Sequence, residues 1–159
     1  MMTRVGIGYD IHRFAHGCRL VLGGVEIPHE MGLEGHSDAD VLSHAIADAV
    51  LGAVGLPDIG HHFPPSDASL RGISSLVILQ KAAALAREEG GILRNVDATL
   101  IAESPRIGPH LPAMKAALAA VLGLDPKAVG IKATTNEGLG SIGRGEGIAA
   151  MAVAAVELP

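Results

Sequence analysis

Polar and apolar residues alternate from Arg4 to His12 with the period of a strand, placing Val5 and Ile7 on one face. Leu20 to Ile27 is an apolar run broken by Gly23-Gly24 and reads as a hairpin. From Ser37 to Gly52 the period lengthens to that of a helix. Val41, Leu42, Ala45, Ile46, Ala49 and Val50 form its apolar stripe, and Ser37 stands as a candidate N-cap. Leu56 to Leu70 is rich in Pro, Gly, Asp and Ser and reads as a loop, long enough to be functional. Ser74 to Glu89 is a second helix, stopped by Gly90-Gly91, and Asn95 to Ala102 is a strand. Pro109 to Leu122 is a third helix, with Pro in its first turn and Gly123 after its end. Val129 to Thr135 and Ile148 to Val156 read as buried strands. This order predicts an α+β fold, a single domain over residues 1–159 with helices packed on one face of a mixed β-sheet.

Composition adds a question of stability. Hydrophobic residues make up 48% of the chain, but Tyr9, Phe14 and Phe63 are its whole aromatic set. Small side chains bury little area each, so a homo-oligomer that covers further apolar surface is expected. The net charge of −5 and the scattered basic residues speak against a nucleic-acid partner. Cys18 is the sole cysteine, which excludes an intrachain disulfide. The first residues lack a signal-peptide core, and Ile148 to Val156 falls short of the roughly 20 residues a membrane helix needs. A cytoplasmic protein with no membrane partner is expected.

The candidate chemistry starts with Asp10 and His12, which a period of two places on the same face of a strand. His44 lies on or beside the apolar stripe of the first helix. One carboxylate and two imidazoles make a three-ligand set for Zn²⁺ with a position left open. Asp40 and Asp48, one turn either side of His44, are candidates to orient its ring. His36-Ser37-Asp38-Ala39-Asp40 leads into the same helix and has two readings: a capping segment, or a site where His36 faces a phosphate. Asp58-Ile59-Gly60-His61-His62-Phe63-Pro64 reads as a solvated connector when taken alone. Lys132 to Gly140 follows a strand and offers Thr hydroxyls to phosphate, with Glu137 a hard ligand for Mg²⁺ or Mn²⁺. Gly143-Arg144-Gly145-Glu146-Gly147 lets a ligand approach the backbone closely, or is simply a hairpin turn.

Together these segments resemble the 2-C-methyl-D-erythritol 2,4-cyclodiphosphate synthase family. The matching stretches are Gly6-Ile7-Gly8-Tyr9-Asp10-Ile11-His12, Gly23-Gly24 with Ile27-Pro28, His36 to Asp40 through His44, and Asp58-Ile59-Gly60 with Phe63-Pro64. They continue with Asn95-Val96-Asp97, Lys132-Ala133-Thr134-Thr135 and Gly143 to Gly147, in order over essentially the whole chain.

The resemblance implies zinc on Asp10, His12 and His44, and transition-state stabilisation by His36 and Thr135. Asp58, Ile59 and Gly60 and the loop from Phe63 to Asp67 would take the methylerythritol phosphate portion of a diphosphocytidyl substrate, and Asp10, His12, His36 and Ser37 also count among the substrate contacts. Ala102, Pro105, Arg106, Ile107 and Gly108, with Thr134, Thr135, Asn136 and Glu137, would take the cytidine diphosphate portion, Glu137 also holding a second divalent ion. It further implies a homotrimer with active sites between subunits and Arg144 and Glu146 near its axis. Ser141 and Arg144 are counted with the substrate contacts. Three positions depart from the family pattern: Pro65 where an Asp is frequent, Ser141 where an aromatic is common, and Arg106 for a frequent Lys. Two other classes use the same residues: a zinc-dependent phosphohydrolase, and a non-catalytic nucleotide- or metal-binding trimer.

Overall fold

A five-stranded sheet backs the whole fold in the computed structural model, which describes residues 1–159. The chain runs β1 (Met2–Ala15), the hairpin β2 (Leu20–Leu22) and β3 (Val25–Ile27), β4 (Gly32–Leu33), α1 (Val41–Ala53), α2 (Ile59–His62) and α3 (Ser75–Glu88). It continues with β5 (Ile92–Ile101), α4 (Leu111–Leu122), β6 (Val129–Thr134), α5 (Gly140–Gly143) and β7 (Gly147–Leu158). The sheet order is β4-β1-β7-β5-β6. Only β5 and β6 run parallel; the other pairs are antiparallel, so the mixed α+β sheet is as expected.

The sheet's two faces differ in a way the apolar pattern did not reveal. Val5, Ile7, Tyr9 and Ile11 do share a face of β1, but it is the uncovered one, where Met151 and Val153 of β7 join them. Gly6 and Gly8 point to the helices instead. A Cβ at Gly8 would stand 1.8 Å from the Ala45 carbonyl oxygen, and one at Gly6 1.9 Å from that of Ala49. The missing side chains let α1 lie directly on β1. Ala150, Ala152 and Ala154 of β7 keep the same helix-facing surface shallow. Buried between the sheet and α3, α1 is apolar on nearly every side.

Local boundaries follow from side-chain capping. Asp40, not Ser37, is the N-cap of α1. Ala39 takes φ +57°, which breaks helical geometry before Asp40 and turns residues 37–39 into a capped loop. The Asp40 carboxylate is fully buried and accepts from Ser43 N–H (3.1 Å), Ser43 Oγ (2.7 Å), Gly23 N–H (2.9 Å) and Gly24 N–H (2.8 Å). It thereby ties the β2–β3 hairpin to the start of α1. Ser74 caps α3 as expected of a helix opening there, and Gly123 ends α4 in the left-handed region. The loop expected at Leu56 to Leu70 holds a turn of helix, α2, and a 3₁₀ turn at Ala68–Leu70, capped by Asp58 and Asp67. β6 and β7 are not buried throughout: β6 is an edge strand, exposed from Lys132 onward, and β7 alternates about its outer face. No helix is long and apolar enough to cross a membrane.

Candidate functional site

Asp10 and His12 extend the helix-facing row of β1 that starts with Gly6 and Gly8. His44 reaches them from the first turns of α1, which the glycines hold against the strand. Asp10 Oδ2 lies 3.0 Å from His12 Nε2 and 3.0 Å from His44 Nδ1, and the three candidate ligand atoms are all within 4.8 Å of one another. His12 Nδ1 is 2.9 Å from the Glu34 carbonyl, which can only accept, so that nitrogen carries the proton. His12 Nε2 then presents a lone pair. It is buried and has no hydrogen-bond partner, its approach to Asp10 lying outside hydrogen-bond geometry. Such an orphaned atom beside a carboxylate and a second imidazole is what a metal ion satisfies. The donor set of two nitrogens and one oxygen fits Zn²⁺.

Charge is poised accordingly. Burial pushes Asp10 up, but the His12 and His44 rings beside it outweigh that and bring its pKa down to about 2. Burial pushes His12 down, and the nearby Asp10 carboxylate and the Glu34 carbonyl outweigh that, raising it above the ordinary value. The acids proposed to orient His44 do other work. Asp40 caps α1 and binds the hairpin, and Asp48 accepts from Ile59 N–H (2.8 Å), its own pKa raised by burial. The far nitrogen of His44 meets Ser75 Oγ (2.8 Å) and Ser37 Oγ (3.2 Å) instead. Ser75 was legible only as part of a helix start, because its partners are 31 and 37 residues away.

A cavity of about 180 Å³ opens beside this cluster, lined by His12, His36, Ser37 and His44 on one side and Ile59, Gly60, Phe63, Pro65 and Leu70 on the other. His36 donates from Nε2 to the Asp67 carbonyl (3.0 Å), which joins the two walls. Asp58 is not in the lining; its carboxylate caps α2. Asp67 is spent on Ser69, whose hydroxyl and amide lower its pKa. His61 and His62 stack edge to face outside the cavity, with no convergence on the metal cluster.

The second group of expected contacts gathers elsewhere. β5 and β6 are parallel, so the segments after them, Ala102 to Gly108 and Thr134 to Glu137, emerge together. Ala102 N–H donates to the Thr134 carbonyl (2.9 Å) and Gly138 N–H to Glu103 (2.8 Å). Glu137 takes φ +53° and is exposed, its N–H held by Thr135 Oγ1 (3.1 Å). Pro105, Arg106, Ile107, Gly108 and Asn136 belong to this same edge. β6 is the third strand from β1, about 14 Å across the sheet at ordinary strand spacing. One chain therefore does not bring Thr135 and His36 into one cavity. Ser141 lines a separate, wider cavity of about 570 Å³ with His12, Arg13, Phe14, Met31 and Glu146, and Arg144 pairs with Glu146 at 2.6 Å.

The sequence model of the YgbB family matches residues 3–157. The 2-C-methyl-D-erythritol 2,4-cyclodiphosphate synthase of Akkermansia muciniphila is 65% identical, covering 100% of this chain and 95% of the relative. That of Desulfosudis oleivorans is 54% identical, covering 96% and 91%. Among solved structures, the bifunctional IspDF of Campylobacter jejuni superposes with a TM-score of 0.95 at 40% identity over 99% of this chain, which corresponds to 43% of that larger one. The CDP complex of IspF from Plasmodium falciparum superposes with a TM-score of 0.84 at 33% identity, covering 97% and 95%. On sequence and fold alike, the chain belongs to the YgbB family.

Proposed function

We propose that the chain converts 4-diphosphocytidyl-2-C-methyl-D-erythritol 2-phosphate to 2-C-methyl-D-erythritol 2,4-cyclodiphosphate and CMP. Cyclodiphosphate synthase is the name its full-length relatives carry, which disfavours both the zinc phosphohydrolase and the non-catalytic binding trimer. The observation that carries the mechanism is the Asp10–His12–His44 cluster at the wall of a small, half-apolar cavity. An oxygen of the 2-phosphate attacks the β-phosphorus. The bond from that phosphorus to the bridging oxygen breaks, and its electron pair leaves with CMP. No water is consumed and no protein nucleophile is required.

Asp10, His12 and His44 would hold Zn²⁺ and Glu137 would hold Mg²⁺ or Mn²⁺, ions whose positive charge would let two phosphates approach. The chain's own part is orientation. Ile59, Gly60 and Phe63 enclose the carbon skeleton with Ser37 at a polar end, while Asp58 and Asp67 act from behind the wall by capping the turns that carry Ile59, Gly60 and Leu70. His36 and Thr135 stabilise charge on the transferring phosphoryl group. Ala102 to Gly108 and Thr134 to Asn136 receive the cytidine diphosphate.

Two observations support a homotrimer. The face bearing Val5, Ile7, Tyr9, Ile11, Met151 and Val153 is apolar and exposed in the single chain. Thr135 does not line the cavity of its own chain, and β6, which leads into it, is three strands from β1, so Thr135 of one copy would complete the cavity of the next. Ser141, Arg144 and Glu146 then lie toward the axis. The reading has residues 1–159 acting as one domain in the cytoplasm, with Cys18 a free thiol. Subunit complementation tests it. His44→Ala and Thr135→Ala chains, each inactive alone, regain part of the wild-type turnover when co-assembled, because some sites draw both intact residues from different copies. No recovery in verified mixed oligomers overturns the shared site.

A further inference from the structure

We propose that Asp38 and Ser75 are positioning residues that hold the proton of His44 on Nε2 and leave Nδ1 as the ring's metal-ligating atom. The inference rests on reading Asp10, His12 and His44 as a metal site.

Ser75, the first residue of α3, is wholly buried. Its hydroxyl has a single proton and two close neighbours: His44 Nε2 at 2.8 Å and the Asp38 carboxylate in a shorter contact. A carboxylate oxygen offers only lone pairs, so the hydroxyl proton goes to Asp38. The Ser75 oxygen then turns a lone pair toward His44, and Nε2 must be the donor. Ser37 Oγ, 3.2 Å from the same nitrogen, can accept from it as well. Asp38 is itself immobilised. Its Oδ1 accepts from Asp40 N–H (3.1 Å), its Oδ2 from Ser75 N–H (3.1 Å), and its own N–H donates to the Ile73 carbonyl (3.0 Å). The carboxylate cannot swing away without releasing the starts of both α1 and α3.

The arrangement mirrors that at His12, where the Glu34 carbonyl holds the proton on the nitrogen remote from Asp10. Each ring has an acceptor behind it and Asp10 in front. Without Ser75, neutral His44 gains more by placing its proton on Nδ1, 3.0 Å from the Asp10 carboxylate, and a metal must then displace it.

The test uses Ser75→Ala, which removes one oxygen and leaves the Ser75 N–H bond to Asp38 in place. Nitrogen NMR of the metal-free, histidine-labelled protein, at a pH where the His44 ring is neutral, reads the tautomer. Wild type shows Nε2 protonated and Nδ1 bare; Ser75→Ala shows the reverse. Zinc titration of the same proteins shows the dissociation constant raised about ten- to a hundredfold in the variant. Protonated Nδ1 in neutral wild-type His44, or a variant zinc affinity within about twofold of wild type, overturns the proposal. Wild type that takes up no zinc overturns the metal reading instead, and the tautomer, read without metal, still decides the role of Ser75.

Discussion

Replacing Gly8 with Ala puts the link between fold and site under direct load. The added Cβ would lie 1.8 Å from the Ala45 carbonyl oxygen, 2.8 Å from its carbon and 2.9 Å from Ala49 N. All three are backbone atoms of α1, so no side chain can turn aside. The helix must retreat by about 1.2 Å to reach even a 3.0 Å contact. His44 is next to Ala45 on α1 and Asp10 is two residues beyond Gly8 on β1, so the shift enters the 3.0 Å Asp10–His44 separation directly. Zinc sites hold their bond lengths to about 0.2 Å. Overpacking of this kind costs about 1–3 kcal/mol, and at this chain length each kcal/mol lowers Tm by about 2–4 °C. A folded but less stable protein is expected, with weakened zinc binding and turnover reduced on the order of 10²-fold. Gly52→Ala is the control, since its Cβ meets only ordinary contacts at 3.9 Å and beyond and improves helix propensity. Calorimetry and metal analysis on both variants decide the matter. Gly8→Ala with wild-type Tm and stoichiometric zinc would refute the idea that the glycines set the metal geometry.

Two further outcomes follow from the cluster itself. His44→Ala should lose stoichiometric zinc and turnover together while keeping the fold; zinc retained at the wild-type level removes His44 from the ligand set. In the metal-free protein, the depressed Asp10 pKa contributes stability that is present above the unfolded value of 3.8 and lost as pH falls through about 2. Its size is about 2 kcal/mol. The raised His12 pKa acts in the opposite sense, its share being lost as pH rises through that value. Urea unfolding of metal-free wild type and Asp10→Asn should differ most near about pH 5 and converge toward about pH 2. A gap that does not change with pH excludes the ion pair as its source.

Periodicity carried most of the fold, because strands and helices here are regular and punctuated by Gly, Pro and caps. It misled where one apolar surface is not the core. Val5 and Ile7 are the conspicuous hydrophobes of β1 and face outward, while the buried face is marked by Gly6 and Gly8, which have no hydrophobicity to detect. The start of α1 was misplaced for a related reason. Ser37 and Asp40 are both good caps, and only the positive φ of Ala39 and the distant hairpin amides select Asp40. In the candidate site, Asp10 and His12 were legible because a strand's period puts them on one face, and His44 because it sits on or beside the apolar stripe. Ser75 was not legible, since its role depends on α3 meeting α1, a contact no local spacing encodes. The separation of Thr135 from His36 was equally invisible, as it arises from β7 and β5 lying between β1 and β6.

The central claim is that this metal cluster serves an internal phosphoryl transfer rather than hydrolysis. Phosphorus NMR of a single turnover of 4-diphosphocytidyl-2-C-methyl-D-erythritol 2-phosphate, with protein stripped of metal and then reloaded with zinc and magnesium, tests it most directly. The account predicts CMP and the cyclic diphosphate in equal amounts, appearing only after reloading and without inorganic phosphate. Inorganic phosphate as the product, or unchanged substrate with fully reloaded protein, would contradict it.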